Sequence, residues 1–437
     1  MKRKLGLVFL FYLRVLAKVQ LWKVGLLRKI FKKPPLKIVG VTGSYGKTTT
    51  MLAIVSALKG DFKVKYTEKG NSESGIPLDI LGLKMKGYSV LDWMKVFVLS
   101  FLMLFINWRD FDIYVVEMGV DEPKEPKNMT YLLKIIRPDI GVFIGVSSVH
   151  SQQFESVLPK NLNLSSDQRH KLILSVIADE KAKMIVNLPK DGFAVLNFED
   201  KFVKERAVLT KAKVIPVKRV KIEFEDYILP DEFDINFGIA VSVASIFGIK
   251  RGKAISNIKK NFKLPAGRSS IIRGIKDTLI IDSSYNSSFK ATVVMLGLLD
   301  KLGKKLKRKK VAVLGDMREL GNLAEREHKE LAKVAVRIAD KIILVGPLMG
   351  KYFLPQALKL GYPRENIKHF SNACLAAKFL KGSLDGGEII LVKGSQNTIF
   401  LEIVVEALMA DRSQADVLLC RRGSYWESQR GMYASGV

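Results

Sequence analysis

LKIVGVTGSYGKTTT, running from Leu36 to Thr50, is the stretch whose reading decides the fold. A β-branched run, LKIVGVT, breaks at Gly-Ser-Tyr-Gly and resumes as Lys-Thr-Thr-Thr, the pattern of a buried strand turning through glycines into a helix. In such a turn backbone N–H groups converge on phosphate, and the helix N-terminus adds partial positive charge. Gly43, Ser44 and Gly46 would form that cradle, and Lys47 would reach the outer phosphates. Thr48 or Thr49 would offer a hydroxyl to a magnesium ion. Val41 stands where the strict phosphate-loop spacing has its first glycine, so the loop is a variant of that motif.

Outward from this loop, short apolar runs alternate with helical segments, as in parallel α/β domains. The strand candidates are LKIVGVT (36–42), DIYVVEMG (112–119), DIGVFIG (139–145), TLIIDS (278–283), KVAVLG (310–315), KIILVG (341–346) and EIILVKG (388–394). They fall into two groups. One ends near Leu264 at LPAGR; the other continues to about Ala410. Ligands of open α/β sheets gather at the carboxyl ends of strands. Glu117, which closes IYVVE, could there bind magnesium directly or through water, and is otherwise a surface carboxylate. His150, just past DIGVFIG, could act there too, although a lone histidine is more often a structural hydrogen-bonder.

The 437 residues suffice for two or three domains with full cores. Lys and Arg number 72 against 43 Asp and Glu, a net charge of +29 that calls for an anionic partner. Two cysteines, Cys374 and Cys420, exclude a disulfide framework and a four-cysteine zinc site and favour a reducing cytoplasm. No aromatic-studded basic motif of the nucleic-acid modules is present, so no nucleic-acid partner is expected. The first 37 residues hold eleven basic side chains and no acidic one. From Leu5 to Phe31 their apolar residues are interrupted by charge, too often for the roughly 20-residue run of a membrane span, and no secretory cleavage site is evident after them. Two readings stay open for this amphipathic helix, a peripheral one on anionic lipid at the inner face of the membrane and one packed on the body of the protein. LDWMKVFVLSFLMLFINW (91–108) reads as a buried or interfacial helix, and KLGKKLKRKK (301–310) as a solvated loop.

In chain order the motifs resemble the Mur ligase family of ATP-dependent amide-forming enzymes, over about 370 residues. TGSYGKTTT is similar to its phosphate loop, NSESGIPLDIL (71–81) to its substrate-side segment, VVEMG to the stretch with its magnesium glutamate, and PDIGVFIGVSSVHSQQF to the one with its metal histidine. EKAKMIVNLPKDGFAVLN (180–197) resembles the stretch bearing a carbamylated lysine, here Lys181, and INFGIAVSVASIFGI the Asn-led helix beside adenine, here Asn236. AGRSS, IIDSSYNSSF, VLGDMRELG with His328, and LVKGSQ are similar to the member that joins D-alanyl-D-alanine to a UDP-muramoyl tripeptide. Ser283, Phe289 and Gln396 depart from that member's pattern, and the gap between His150 and Lys181 is lengthened by VLPKNLNLSSDQRHK (157–171).

The resemblance implies an α/β protein in four parts: a basic helix (1–35), a P-loop central ATPase domain with a parallel sheet (36–264), a C-terminal Rossmann-like α/β domain (265–412) and a tail (413–437) in which no role is legible. It implies ATP and Mg²⁺ as cofactors, with Thr48, Glu117, His150 and Lys181 at the metal and Lys47 in catalysis. Arg268 would meet ATP phosphate and Asp282 the ribose; Asn71, Ser72, Asn286, Lys393 and Ser395 would bind substrate. The implied partners are a UDP-muramoyl peptide or related acceptor and a dipeptide amine donor. Members that use UDP-linked substrates carry a further domain ahead of the first central strand, where this sequence has about 35 residues, so UDP would be held differently. Two other readings stay open. One is a Mur-type ligase for a lipid-linked or pseudopeptidoglycan acceptor; the other is a membrane-associated P-loop ATPase.

Overall fold

The computed structural model describes residues 2–68, 70–85, 89–158, 165–224, 229–395 and 398–434. Gln396, the centre of the 157–171 insertion and the last three residues of the tail lie outside them. The chain divides into two compact units, Met1–Glu223 with Phe233–Phe262, and Phe224–Glu232 with Lys263–Val437.

The first unit is built on six strands, β1 (Lys37–Thr42), β2 (Val64–Tyr66), β3 (Ile113–Glu117), β4 (Ile140–Phe143), β5 (Phe193–Leu196) and β6 (Lys213–Pro216), all parallel in the order β2-β3-β1-β4-β5-β6. After β1 the chain builds one side of the sheet through β2 and β3, then crosses to the other side at β4. Loops leaving β1, β3 and β4 therefore open on one crevice, the switch point where α/β sheets bind ligands. Val39 and Val41 of β1 are wholly buried. Gly40 between them is required by close approach, since a Cβ there would stand 2.6 Å from Pro138 Cγ and 3.0 Å from the Met184 sulfur.

The second unit carries β7 (Ser270–Arg273), β8 (Leu279–Asp282), β9 (Lys310–Gly315), β10 (Lys341–Val345), β11 (Ile367–Phe370) and β12 (Ile389–Lys393), in the order β11-β10-β9-β12-β8-β7. All pairs are parallel except β7 with β8. The short link between those two strands, residues 274–278, cannot make the crossover of a dozen residues that a parallel pair needs, so β7 turns back as an antiparallel edge.

The first unit also carries the helices α1 (Lys2–Ile30), α2 (Lys47–Leu58), α3 (Gly75–Leu81) and α4 (Val90–Ile106). One stripe of α1, Leu13, Leu16, Ala17, Gln20, Val24 and Arg28, is buried at helical spacing. Arg28 anchors its end, 2.8 Å from both Asp110 and Asp112 and donating to the carbonyls of Pro34 and Phe111. The N-terminal helix thus packs on the body of the first unit.

The segment expected to be buried or interfacial is the helix α4. It starts at a capping box of Ser89 and Asp92 and ends at Asn107, whose N–H reaches Met103 O. Burial is not what holds it: only Val96 and Ser100 of its residues are buried. It lies along α1, with Tyr12 stacked on Phe97 at 4.4 Å and Phe9 edge-on to Trp93 at 5.1 Å. Further along, Gln20 Nε2 donates to Asn107 O at 2.9 Å, and Lys23 Nζ to the carbonyls of Leu104 and Asn107 at 2.5 and 2.8 Å. The contacts advance in the same direction on both helices, so α1 and α4 run parallel. Among the described residues no helix is long and apolar enough to cross a membrane.

Candidate nucleotide and ligation site

The turn after β1 has the conformation its glycines predict. Gly46 precedes α2 with φ 72°, a left-handed backbone that glycine adopts without a side-chain penalty. Ser44 N–H bonds to Gly145 O at 2.9 Å and its hydroxyl to Ser147 O at 3.3 Å, tying the loop to the segment after β4. Lys47 Nζ is folded back onto Gly43 O at 3.0 Å, a carbonyl of its own loop.

At the adjoining end of β3, Glu117 is buried and its two oxygens are both engaged. Thr48 Oγ1 donates to one at 2.7 Å and Asn71 Nδ2 to the other at 2.8 Å. Of the two threonines considered, Thr48 is therefore the one aimed at the carboxylate; Thr49 is buried in α2. Asn71 lies flat against Gly119, where a Cβ would meet its side chain at 2.7 Å, and its carbonyl accepts the Gly119 N–H at 2.8 Å. Ser72 sits at the start of α3, its hydroxyl 3.3 Å from the Gly75 N–H. A hydroxyl and a carboxylate beside a phosphate cradle suit a hard cation, because Mg²⁺ takes one or two protein oxygens and completes its shell with phosphate and water. The larger alternative is absent: among the described residues no three His, Cys, Asp or Glu side chains gather into an ion-holding group.

His150, held at φ 62°, places Nε2 3.3 Å from Asp121 Oδ1. Asp121 also acts on Lys181, which projects from the helix Ser166–Val186 and is only 2 % exposed, its Nζ 3.3 Å from Val120 O. Burial first, and then the nearby charge of Lys47, bring the Lys181 ammonium down to about 7, against the opposing pull of Asp121 and Glu180. The four residues expected at a metal thus divide into Thr48 with Glu117, and His150 with Lys181 about Asp121. Sequence reasoning passed over Asp121, because an acidic residue in a loop carries no pattern. Asn236 is buried, receiving the Thr50 hydroxyl at 3.1 Å, with its Oδ1 3.6 Å from where a Gly46 Cβ would stand. It faces the phosphate-loop helix.

In the second unit Asp282 ends β8 and is wholly buried. One oxygen accepts the Ser284 N–H at 3.0 Å, the other has no partner among the described residues, and burial raises the carboxyl to about 6. Lys393 ends β12, its Nζ 2.7 Å from Asn286 O and 3.3 Å from Ser283 Oγ. Burial and then the charge of Arg268 bring its ammonium down to about 7. Arg268 lies over the Tyr285 ring at 4.3 Å, and Ser395 Oγ accepts the Arg318 N–H at 3.0 Å. His328 is buried and structural. Its Nε2 accepts the Met317 N–H at 3.1 Å, and desolvation lowers it to about 4.

The tail has a role that its sequence concealed. Arg421 holds Glu402 through two bonds of 2.7 and 2.6 Å and donates to Ser284 O and Tyr285 O, each at 2.8 Å. Both partners of the ion pair are buried, so Arg421 braces the turn after β8 from behind. Arg421→Met will lower the stability to urea by about 3 to 5 kcal/mol, since it strands a buried carboxylate. Adding Glu402→Leu to it will recover most of the loss. A single variant with an unshifted urea midpoint would remove the bracing role.

A parallel sheet with a phosphate cradle at its switch point, followed by a second α/β unit with polar groups at its strand ends, defines a nucleotide-using α/β enzyme. Two family descriptions match the chain, "Mur ligase middle domain" over residues 41–158 and "Mur ligase, glutamate ligase domain" over residues 267–396, together more than half of it. The chain belongs to the Mur ligase family of ATP-dependent ligases. It is 24 % identical to the UDP-N-acetylmuramoyl-tripeptide–D-alanyl-D-alanine ligase of Bacillus subtilis, covering 91 % of this chain and 79 % of that one. To the enzyme of the same name from Borreliella burgdorferi it is 26 % identical, over 90 % and 78 %. Its fold is similar to that of MurF from Acinetobacter baumannii (TM-score 0.68, 20 % identity, 91 % of this chain and 81 % of that one). It is similar also to MurF ligase from Thermotoga maritima in complex with ADP (TM-score 0.65, 22 % identity, 93 % and 84 %).

Proposed function

We propose that this ligase adds D-alanyl-D-alanine to a UDP-muramoyl tripeptide in the assembly of peptidoglycan precursors. The observation that carries the chemistry is the Thr48–Glu117–Asn71 constellation beside the Gly43–Gly46 cradle; the choice of substrates rests on the names of the relatives. The acceptor carboxylate attacks the γ-phosphorus of ATP, and the bond to ADP breaks. The amine then attacks the acyl phosphate carbonyl, inorganic phosphate leaves from the tetrahedral intermediate, and the amine's proton passes to solvent. Both steps crowd negative charge, and preorganised positive groups supply most of the acceleration in such reactions. The backbone N–H groups of Gly43–Gly46 would hold the phosphates, and Lys47 would leave Gly43 O for the transferred group. Thr48 and Glu117 would hold Mg²⁺, which would supply positive charge against the phosphates. His150, Asp121 and a carbamylated Lys181 would supply oxygen and nitrogen donors nearby. Arg268, Lys393, Ser395 and Asn286 would bind ATP phosphate and the substrate carboxylate, and Asp282 would shape the turn near the ribose. A ligase of nucleotide-linked substrates would act in the cytoplasm.

ATP turnover with UDP-muramoyl tripeptide, adding D-alanyl-D-alanine, D-alanine or single L-amino acids in turn, tests this reading. ADP release that depends on the dipeptide, with the pentapeptide found by mass, supports it. Turnover indifferent to every amine would overturn it for this acceptor, in favour of a lipid-linked acceptor or a switch ATPase. Glu117→Gln will cost roughly a hundredfold in kcat and raise the Mg²⁺ concentration needed for half-maximal rate. Glutamine has one acceptor oxygen for the two donors Thr48 and Asn71, and no charge for the ion. An unaltered Mg²⁺ titration would take Glu117 off the metal.

A further inference from the structure

We propose that the outer faces of α1 and α4 form a docking surface for an anionic lipid bilayer. The helix α1 has two apolar faces. One is buried; on the other, Val8, Phe11, Val15, Val19, Trp22 and Leu26 recur at three- and four-residue spacing and are all at least 40 % exposed. That stripe is about 27 Å long. Beside it α4 exposes Met94, Val98, Phe101, Leu102 and Phe105, with Trp108 just beyond its end. Thirty-one large apolar side chains are exposed among the described residues, and twenty of them lie in residues 7–31 and 90–108. On two helices packed side by side, such exposure is far beyond the scattered apolar residues of an ordinary monomer.

Charge selects the occupant. Residues 1–37 carry eleven basic side chains and no acidic one, and Lys18 and Lys29 stand exposed on the same outer face of α1. On the α4 side Lys95 and Arg109 are exposed, and the one acidic residue of 89–109, Asp92, is turned to the Ser89 N–H and hydroxyl at the helix start. A second copy of this chain would bring like charge against like charge, whereas an anionic leaflet offers both hydrocarbon and counter-charge. The aromatic content agrees: Trp22 and Trp108, 66 % and 61 % exposed, stand toward the C-terminal ends of α1 and α4, and interfacial helices carry such residues on their apolar face. Because α1 and α4 run parallel and α1 is pinned by Arg28, the pair would lie flat in the interface rather than cross it. The proposal is independent of which substrates the ligase joins.

Co-sedimentation of the full chain with vesicles tests it without any turnover. Binding to equal parts of phosphatidylglycerol and phosphatidylcholine is expected to exceed binding to phosphatidylcholine alone by about tenfold or more, and to weaken in high salt. Trp22→Glu with Phe101→Glu, both exposed, should abolish it, and Lys18→Glu with Lys29→Glu should remove the preference for anionic lipid. Circular dichroism confirms that each variant is folded. No binding by the wild type, or binding unchanged in both variants, overturns the proposal. So does a concentration-dependent dimer that the first pair of substitutions dissolves while lipid binding is absent, which would assign the face to a second copy.

Discussion

Lys47→Met will reduce kcat/KM for ATP-dependent ligation by roughly a thousandfold while leaving the fold intact. Among the described residues the side chain's hydrogen-bond partner is Gly43 O, a carbonyl at the crevice that methionine would leave to solvent. Its loss therefore falls on the transition state, where the ammonium would meet the charge spread over the transferred phosphoryl oxygens. A neighbouring group will respond as well. The charge of Lys47 helps hold the Lys181 ammonium down near 7, so Lys47→Met will also move Lys181 upward, toward its ordinary value. Stopped-flow kinetics of ADP release together with a thermal melt would check both parts. A variant that binds ATP weakly but turns it over at the wild-type rate would make Lys47 a binding residue alone.

The strands that position this site were legible because they are buried on both faces and so read as continuous apolar runs. All seven quoted runs are strands, β1, β3, β4, β8, β9, β10 and β12. The other five are short, and four of them, β2, β6, β7 and β11, sit at sheet edges, where one side needs no partner and polar residues such as Lys213, Lys368 and His369 intrude. The phosphate loop was legible because its chemistry demands glycine and lysine at fixed spacing. Asp121 was not, since its place beside His150 and Lys181 is set by tertiary packing alone. Nor was Arg421, whose partners Ser284 and Tyr285 lie more than a hundred residues earlier. The length and apolarity of 91–108 left a buried and an interfacial helix both open, because composition cannot say which way a helix faces; α4 turns most of its apolar side chains outward.

Lys181→Met will make the protein more stable and inactive. In the folded state of the uncarbamylated enzyme, prepared free of bicarbonate, the Lys181 amine is buried and its ammonium form is disfavoured, lowered to about 7 from the ordinary 10.5. Between those two values the unfolded chain holds a proton that the folded chain has released, so stability rises with pH across that window. At and below pH 7 the burden of the buried charge is felt in full, at about 1.4 kcal/mol for each unit of displacement. Methionine fills a similar volume without that burden. The melting temperature of the variant should therefore exceed that of the wild type most at pH 6 to 7, and the gap should narrow steadily toward about pH 10. Ligation should fall by roughly two to three orders of magnitude at every pH, because no apolar side chain can serve the charged centre shared with Asp121 and His150. A variant that melts lower than the wild type at pH 6.5 would show that the ammonium is compensated where it lies. A variant that melts higher yet ligates normally would leave Lys181 without a part in the reaction.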